Sequence, residues 1–317
     1  MLGKKEPQPS FSDLEREQRL STRHFLHRIE TKINWRPFEV LLQELYPSRR
    51  GRPSYPPLVL FKALLLQQWY GLSDPGLEEA IRDRLSFQRF LGVSSQDPVP
   101  DETTICRFRG LLARKAVAER LFVLLAAQLD AQGLLVKQGS LIDATLLKAQ
   151  PRPPRKGQPS PDPEADWVKK GKDGHFGYKA HLTVDQGSAL VRQIKLTQAS
   201  LPDTFLLEEM VMGDEAAIFA DKAYAKASRR EELTRRGVFC GIMHKAQRGQ
   251  PLNPWQESMN RWLARVRVAV ERVIGTLKRH YALERLRYLG HHRNWCHLLL
   301  VGMCYNLKRM LVLQEAA

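Results

Sequence analysis

The chain has 317 residues, of which 43% are hydrophobic, and a formal net charge of +16. That apolar share supports a packed core and excludes an intrinsically disordered chain, while the length allows two domains. So large a positive excess implies a polyanionic partner, and it is concentrated late: residues 221–310 hold 19 Lys and Arg against 6 Asp and Glu. The cysteines Cys106, Cys240, Cys296 and Cys304 form no Cys-x-x-Cys pair. The start Met1-Leu-Gly-Lys-Lys-Glu-Pro has no apolar h-region, so reduced thiols in a cytoplasmic protein are expected. The apolar run Leu58–Tyr70 is broken by Lys62, Gln67 and Gln68; it is too short and too polar to span a membrane, and no membrane partner is expected.

Residues 1 to about 20 read as a loose arm or short helix. From about 21 to 135 the pattern is helical. Pro56-Pro-Leu-Val-Leu-Phe begins a helix after prolines, and Gly71 ends it. Ser73 or Asp74 opens a second helix. Asp101 is placed to N-cap a third, which carries Arg107 and Arg109. Successive helices with short polar turns suggest a helix-turn-helix-like DNA-binding unit, or equally a bundle used for dimerisation. This helical N-terminal domain, residues 1–135, precedes an α/β domain of residues 136–317.

In the second domain Ser140–Leu147 reads as a strand. Residues 150–175, rich in Pro, Lys and Gly, read as an exposed loop. Gly177–Asp185 and Ala189–Thr197 alternate around Gln186-Gly-Ser188 and predict a hairpin. A helix from Pro202, a buried strand over Ala216–Ala220, a helix over Ser228–Arg236, a strand from Val238 and a helical remainder from about 255 follow. Three antiparallel strands followed by strand–helix alternation is the ribonuclease H-like order. In it the first and fourth strands lie side by side, which brings Asp143 and Asp221 together.

Asp143 ends the apolar lead-in Ser140-Leu-Ile, Asp221 ends Ala217-Ile-Phe-Ala, and Glu271 lies mid-helix in Arg265-Val-Arg-Val-Ala-Val-Glu271. Two strand-end carboxylates and one helix carboxylate can hold a pair of Mg2+ ions, with Mn2+ as a substitute, because hard cations take carboxylate oxygens. Such a pair suits phosphodiester displacement, which needs metals, positioning and positive charge. On the helix Arg267, Glu271 and Lys278 share one face, while Trp262, Val266, Ala269, Val273 and Leu277 form an opposite, apolar one. Arg267 and Glu271 also have the spacing of an ordinary surface ion pair.

These segments together resemble the DDE transposases of bacterial insertion sequences, within the insertion-sequence-five family. Arg267-x-x-x-Glu271-x-x-x-x-x-x-Lys278 resembles the signature around their final acid. Ala220-Asp221-Lys-Ala-Tyr224 resembles the second Asp segment, Ile142-Asp143-Ala-Thr145 the first, and Gly177-Tyr-Lys-Ala-His181 the strand between. Gly51-Arg-Pro-Ser-Tyr-Pro-Pro through Arg109 resembles the preceding helical domain. Ala264 departs from the signature, which has Tyr there. The resemblance implies double-stranded DNA as partner and binding to the terminal inverted repeats of the element. It implies metal-dependent cleavage and joining of the freed 3′-hydroxyl to target DNA, by a homodimer or larger homo-oligomer at the nucleoid. Asp143, Asp221 and Glu271 would hold the metal, and Arg267 and Lys278 would contact DNA phosphates. Lys222 and Tyr224 would support DNA or structure.

Two rival readings differ in chemistry. One is a non-catalytic DNA-binding protein derived from a transposase, against which all three acids argue; the other is a related metal-dependent nuclease. The His291-His-Arg-Asn-Trp-Cys296-His297 stretch with Cys304 matches no closed zinc site and reads as a core helix. His181 and Lys179 read as a solvated strand face.

Overall fold

The structure, a computed structural model, describes residues 21–46, 55–94, 97–155, 158–247 and 249–316. The expected N-terminal arm and the Gly51–Ser54 stretch lie outside these residues. The chain divides into two compact units, residues 1–131 with 296–317, and residues 132–295.

The first unit is helical: α1 (Phe25–Lys32), α2 (Arg36–Gln43), α3 (Pro57–Tyr70), α4 (Asp74–Asp83), α5 (Leu85–Leu91), α6 (Glu102–Arg114) and α7 (Val117–Ala131), joined by much of α11 (His291–Ala316). Prolines open α3, and Gly71 closes it in the left-handed conformation at φ 63°. Ser73 caps α4 and Asp101 caps α6 by accepting backbone N–H groups of their first turns. α3 is buried on nearly every side, including its polar residues, and each of these has a partner, as burial requires. The Lys62 ammonium lies 2.7 Å from Glu30 and over the Trp35 ring. Gln67 donates to Asp74, and the Gln68 side chain pairs with His297 at 3.0 Å.

The compact units differ from the expected division at the C-terminal end. Residues 296–316 group with the N-terminal helices. Trp69 Nε1 donates to the Cys304 carbonyl at 3.0 Å, and Leu298–Val301 and Met303 are buried. α11 is long and apolar enough to cross a membrane by composition, yet most of its apolar stretch is buried in this way, as in a core helix.

The second unit holds a six-stranded sheet. Its strands are β1 (Ser140–Lys148), β2 (Asp166–Lys170), β3 (Asp173–Asp185), β4 (Val191–Gln198), β5 (Ala217–Ala220) and β6 (Phe239–Ile242). β3 pairs antiparallel with β1 and with β4, while β5 runs parallel to both β1 and β6. The order β4-β3-β1-β5-β6 is ribonuclease H-like, with the first and fourth predicted strands adjacent as expected. β2 is an addition: it pairs with the start of β3, Asp173–Gly177, so the predicted loop over 150–175 contains a strand. Asp166-Trp-Val-Lys-Lys lacks a buried alternating face and is mostly exposed, which hid it from the pattern.

Leu207, Met210, Ile218, Tyr224, Leu233 and Ile242 form a core with Ile142. It draws on α8 (Leu207–Met210) and α9 (Ala227–Arg235). α10 (Pro254–His280) begins with a capping box between Asn253 and Gln256 and packs on β1 and β5. Its buried stripe is Leu263, Arg267, Val270, Val273 and Leu277. The expected apolar face is therefore rotated: Val273 and Leu277 are on it, but Trp262 is half-exposed and lies beside Phe219 and Phe239.

Candidate active site

The parallel ladder between β1 and β5 ends at the pair Ile142–Ala220. Asp143 and Asp221 are the next residues on each strand, so neighbouring strands deliver two carboxylates at the same level, with strands spaced about 4.8 Å apart. Each aspartate is fixed locally. Asp143 Oδ1 accepts the Ala144 N–H at 2.8 Å. Asp221 Oδ1 accepts the Lys222 N–H at 2.7 Å and caps a short 3-10 turn, Lys222–Tyr224.

A cation sits between them. Arg267, on the buried stripe of α10, donates from Nη2 to Asp143 Oδ2 at 2.9 Å, and its Nη1 lies 3.7 Å from Asp221 Oδ1. Nη1 also reaches Met243 Sδ at 3.5 Å, just past β6. Burial pushes the Asp143 carboxyl above its ordinary value; Arg267 opposes that and the Asp221 carboxylate adds to it. Two acids are thus held beside each other in a half-buried place by one guanidinium.

This changes the expected role of Arg267. It pairs neither with Glu271 nor with solvent, because its side chain is 9% exposed and aimed at the two aspartates. Glu271 is exposed one helical turn further on and makes no ion pair among the described residues. No group of three or more His, Cys, Asp or Glu close enough to hold a metal ion exists among the described residues. Asp143 and Asp221 are a fitting hard-oxygen pair for a divalent ion, since they already converge on a positive group. Glu271 is near in sequence to that point but is not gathered onto it.

The other expected contacts divide by burial. Lys222 and Arg107 are exposed, and Lys278 is half-buried. Tyr224 is 1% exposed, packs in the core and has its hydroxyl raised by burial, then by Asp203 and Asp143, a position that suits structural support. Arg109 is corrected. Its guanidinium is buried in the first unit, with Nη1 3.1 Å from Asp74 Oδ2 and Nη2 3.1 Å from Gln67 Oε1. α6 turns it inward alongside Ile105, Phe108 and Leu112.

Sequence reasoning misplaced one pair of residues and passed over two clefts. Lys179 and His181 are buried, not solvated: Lys179 Nζ lies 2.7 Å from Asp203 Oδ1, and His181 Nε2 is 3.0 Å from Thr197 Oγ1. Burial pushes His181 down to about 4. A cleft of about 610 Å³ opens after the Asp221 turn, lined in part by Lys226, Arg230, His244, Lys245 and Gln256. Asn260 on α10 holds its wall through two hydrogen bonds to the His244 backbone. A pocket of about 210 Å³ lies at the far end of β1, with Lys148, Lys170, His175 and Lys278 among its lining residues. The basic excess of the last third signalled the first cleft, whereas Lys148, Lys170 and His175 of the second lie before it in sequence.

Residues 14–111 match the family described as Transposase domain (DUF772), and residues 135–307 match that described as Transposase DDE domain. Among solved structures the chain is similar to piggyBac transposase in a synaptic complex with hairpin DNA. The identity there is 11%, over 92% of this chain and 73% of that one, with a TM-score of 0.47. It is also similar to the Mos1 strand transfer complex, at 13% identity over 85% of this chain and 80% of that one, with a TM-score of 0.19. DDE transposases use divalent metal ions, which suits an acid pair of the kind formed by Asp143 and Asp221. With the DDE domain matched over more than half of its length, this chain belongs to the DDE transposases and is a DNA transposase.

Proposed function

We propose that Asp143, Asp221 and Glu271 form the catalytic centre and hold Mg2+ there, with Mn2+ as a substitute. On this reading the enzyme binds the terminal inverted repeats of an insertion sequence, hydrolyses DNA at the element ends and joins the 3′-hydroxyls to target DNA. The observation that carries it is the pair of aspartates set side by side at the end of the β1–β5 ladder, with α10 bringing Glu271 one turn from the residue that bridges them. Bound metal would supply electrostatic stabilisation of the attacking and leaving oxygens. Asp143 and Asp221 fix the position of the reacting phosphate relative to the sheet. Arg267 keeps the two carboxylates together and lowers their mutual repulsion. Lys222 and Lys278 supply positive charge along the path of the DNA. In the helical unit, exposed Arg107 rather than buried Arg109 serves DNA recognition.

The test is a plasmid carrying two element ends, incubated with Mg2+. Asp143→Asn, Asp221→Asn and Glu271→Gln are each expected to abolish cleavage and strand transfer while end binding persists. Full activity in any one variant would remove that residue from the centre.

A further inference from the structure

The pocket at the end of β1 has an unbalanced charge. Lys148 comes from β1, Lys170 from β2, His175 from β3 and Lys278 from α10. The one carboxylate among its lining residues is Glu284, which is largely exposed and pairs with Lys148 at 2.9 Å. Neither Lys170 nor Lys278 makes an ion pair among the described residues. Burial lowers the Lys278 ammonium and Lys170 lowers it further; Glu284 opposes the shift and Lys148 adds to it. Like charges gathered from three elements, Lys148, Lys170 and Lys278, cost stability unless an anion joins them.

The walls are also built. The Lys148 N–H donates to the Glu284 carbonyl at 3.0 Å, and the Leu286 N–H donates to the Lys148 carbonyl at 2.8 Å. The segment after α10 is thereby tied to the end of β1. Ala149 N–H donates to the Phe176 carbonyl at 3.1 Å. Gly177 lines the pocket opposite its β1 partner Lys148; a Cβ there would lie 2.1 Å from the Leu147 carbonyl oxygen. The backbone that carries Lys148 is therefore fixed, while the Lys148 and Lys170 side chains are exposed and open to a ligand.

We propose that Lys148, Lys170 and His175, with Lys278, form a receptor for one backbone phosphate of bound DNA, away from the catalytic acids. This rests on the transposase reading and deepens it. Lys278 is seven residues beyond Glu271, about 10 Å along the helix. Lys148 is five residues beyond Asp143, about 17 Å along the strand. At about 3.4 Å per nucleotide of one strand, the pocket grips a phosphate roughly three to five nucleotides from the one at the acids. Such a contact is independent of sequence and sets register.

The test is binding of the full-length protein to a mixed-sequence duplex across a salt series. Removing one phosphate contact lowers the slope of log K against log salt by about 0.9. That loss is expected for the Lys148→Ala/Lys170→Ala double variant. Glu284→Gln, which removes the opposing charge at an exposed position, is expected to tighten binding, an outcome that misfolding does not produce. Wild-type slopes in the double variant together with unchanged affinity in Glu284→Gln would overturn the receptor. So would a pocket that takes inorganic phosphate in calorimetry while the DNA slope stays the same in the double variant. A wild-type protein that binds no duplex at all would instead overturn the transposase reading along with it.

Discussion

Removing Arg267 is expected to destabilise the α/β unit, and added magnesium is expected to restore much of the loss. Arg267 and Asp143 are 9% and 19% exposed, while Asp221 is 38% exposed. Truncating one partner of a buried ion pair costs about 3–5 kcal/mol, because the remaining charge is left without compensation. The partial exposure of Asp221 puts the Arg267→Ala loss near the lower end, about 3 kcal/mol. For a unit of this size each kcal/mol moves the melting temperature by about 2–4 °C, so the midpoint should fall by roughly 6–12 °C in chelator. Two facing carboxylates without a guanidinium are a stronger site for a divalent cation than the same pair already neutralised. At a free concentration about 100-fold above Kd, binding to the native state alone contributes about 2.7 kcal/mol. Scanning calorimetry of wild type and Arg267→Ala, with chelator and with saturating magnesium, reads both quantities. Were Arg267 merely an exposed partner of Glu271, the pair would contribute about 0.3–0.5 kcal/mol and the midpoint would fall by about 1–2 °C. A shift that small, or magnesium stabilising wild type and variant equally, would refute the bridge between Asp143 and Asp221.

Two further outcomes follow from buried charge. Arg109→Ala strands Asp74 and Gln67 and should cost the helical unit about 3 kcal/mol or more by denaturant unfolding, whereas exposed Arg107→Ala should leave stability within about 0.5 kcal/mol and weaken DNA binding. His181 titrates lower in the fold, at about 4, than its ordinary 6.5, so the native state binds fewer protons than the unfolded chain between those values. Its contribution is intact above pH 6.5 and is lost as pH falls toward 4, a cost of roughly 3 kcal/mol that His181→Gln should remove from a pH series of urea unfolding curves.

The elements legible in the sequence were those whose neighbours follow from local pattern. Period-two alternation gave β3 and β4, and apolar stretches ending in aspartate gave β1 and β5. Their order then implied that Asp143 and Asp221 meet. What stayed hidden depended on partners far away in sequence. α11 is apolar around its circumference, which predicts burial but not against which unit, and it belongs with α3. Arg267 has the spacing of a helix-surface pair, yet its position on the buried stripe of α10 aims it at the strands. Tyr224 stands among polar neighbours in Asp221-Lys-Ala-Tyr, but the 3-10 turn capped by Asp221 rotates it into the core. Arg109 is buried for a comparable reason, since a charged residue goes inside when a carboxylate and an amide wait there.

α10 joins these pieces into one device. Gln256 near its start lines the basic cleft after the Asp221 turn, Arg267 in its middle bridges the two acids, and Lys278 near its end enters the pocket with Lys148 and Lys170. Those three positions are eleven residues apart in turn, about 17 Å each along the axis. A helix sets such spacings without help from loops, so the acids keep a fixed distance from positive charge on either side. Along DNA, 17 Å corresponds to about five nucleotides of one strand. A backbone running beside α10 would then meet cations on both sides of the position where Asp143 and Asp221 converge. Phosphate contacts spaced in this way hold a duplex in register while leaving its sequence unread, and base selection falls to other surfaces of the protein. On this account Arg267 and Lys278, two of the six Lys and Arg on α10, belong to the charge that positions the substrate across the acids.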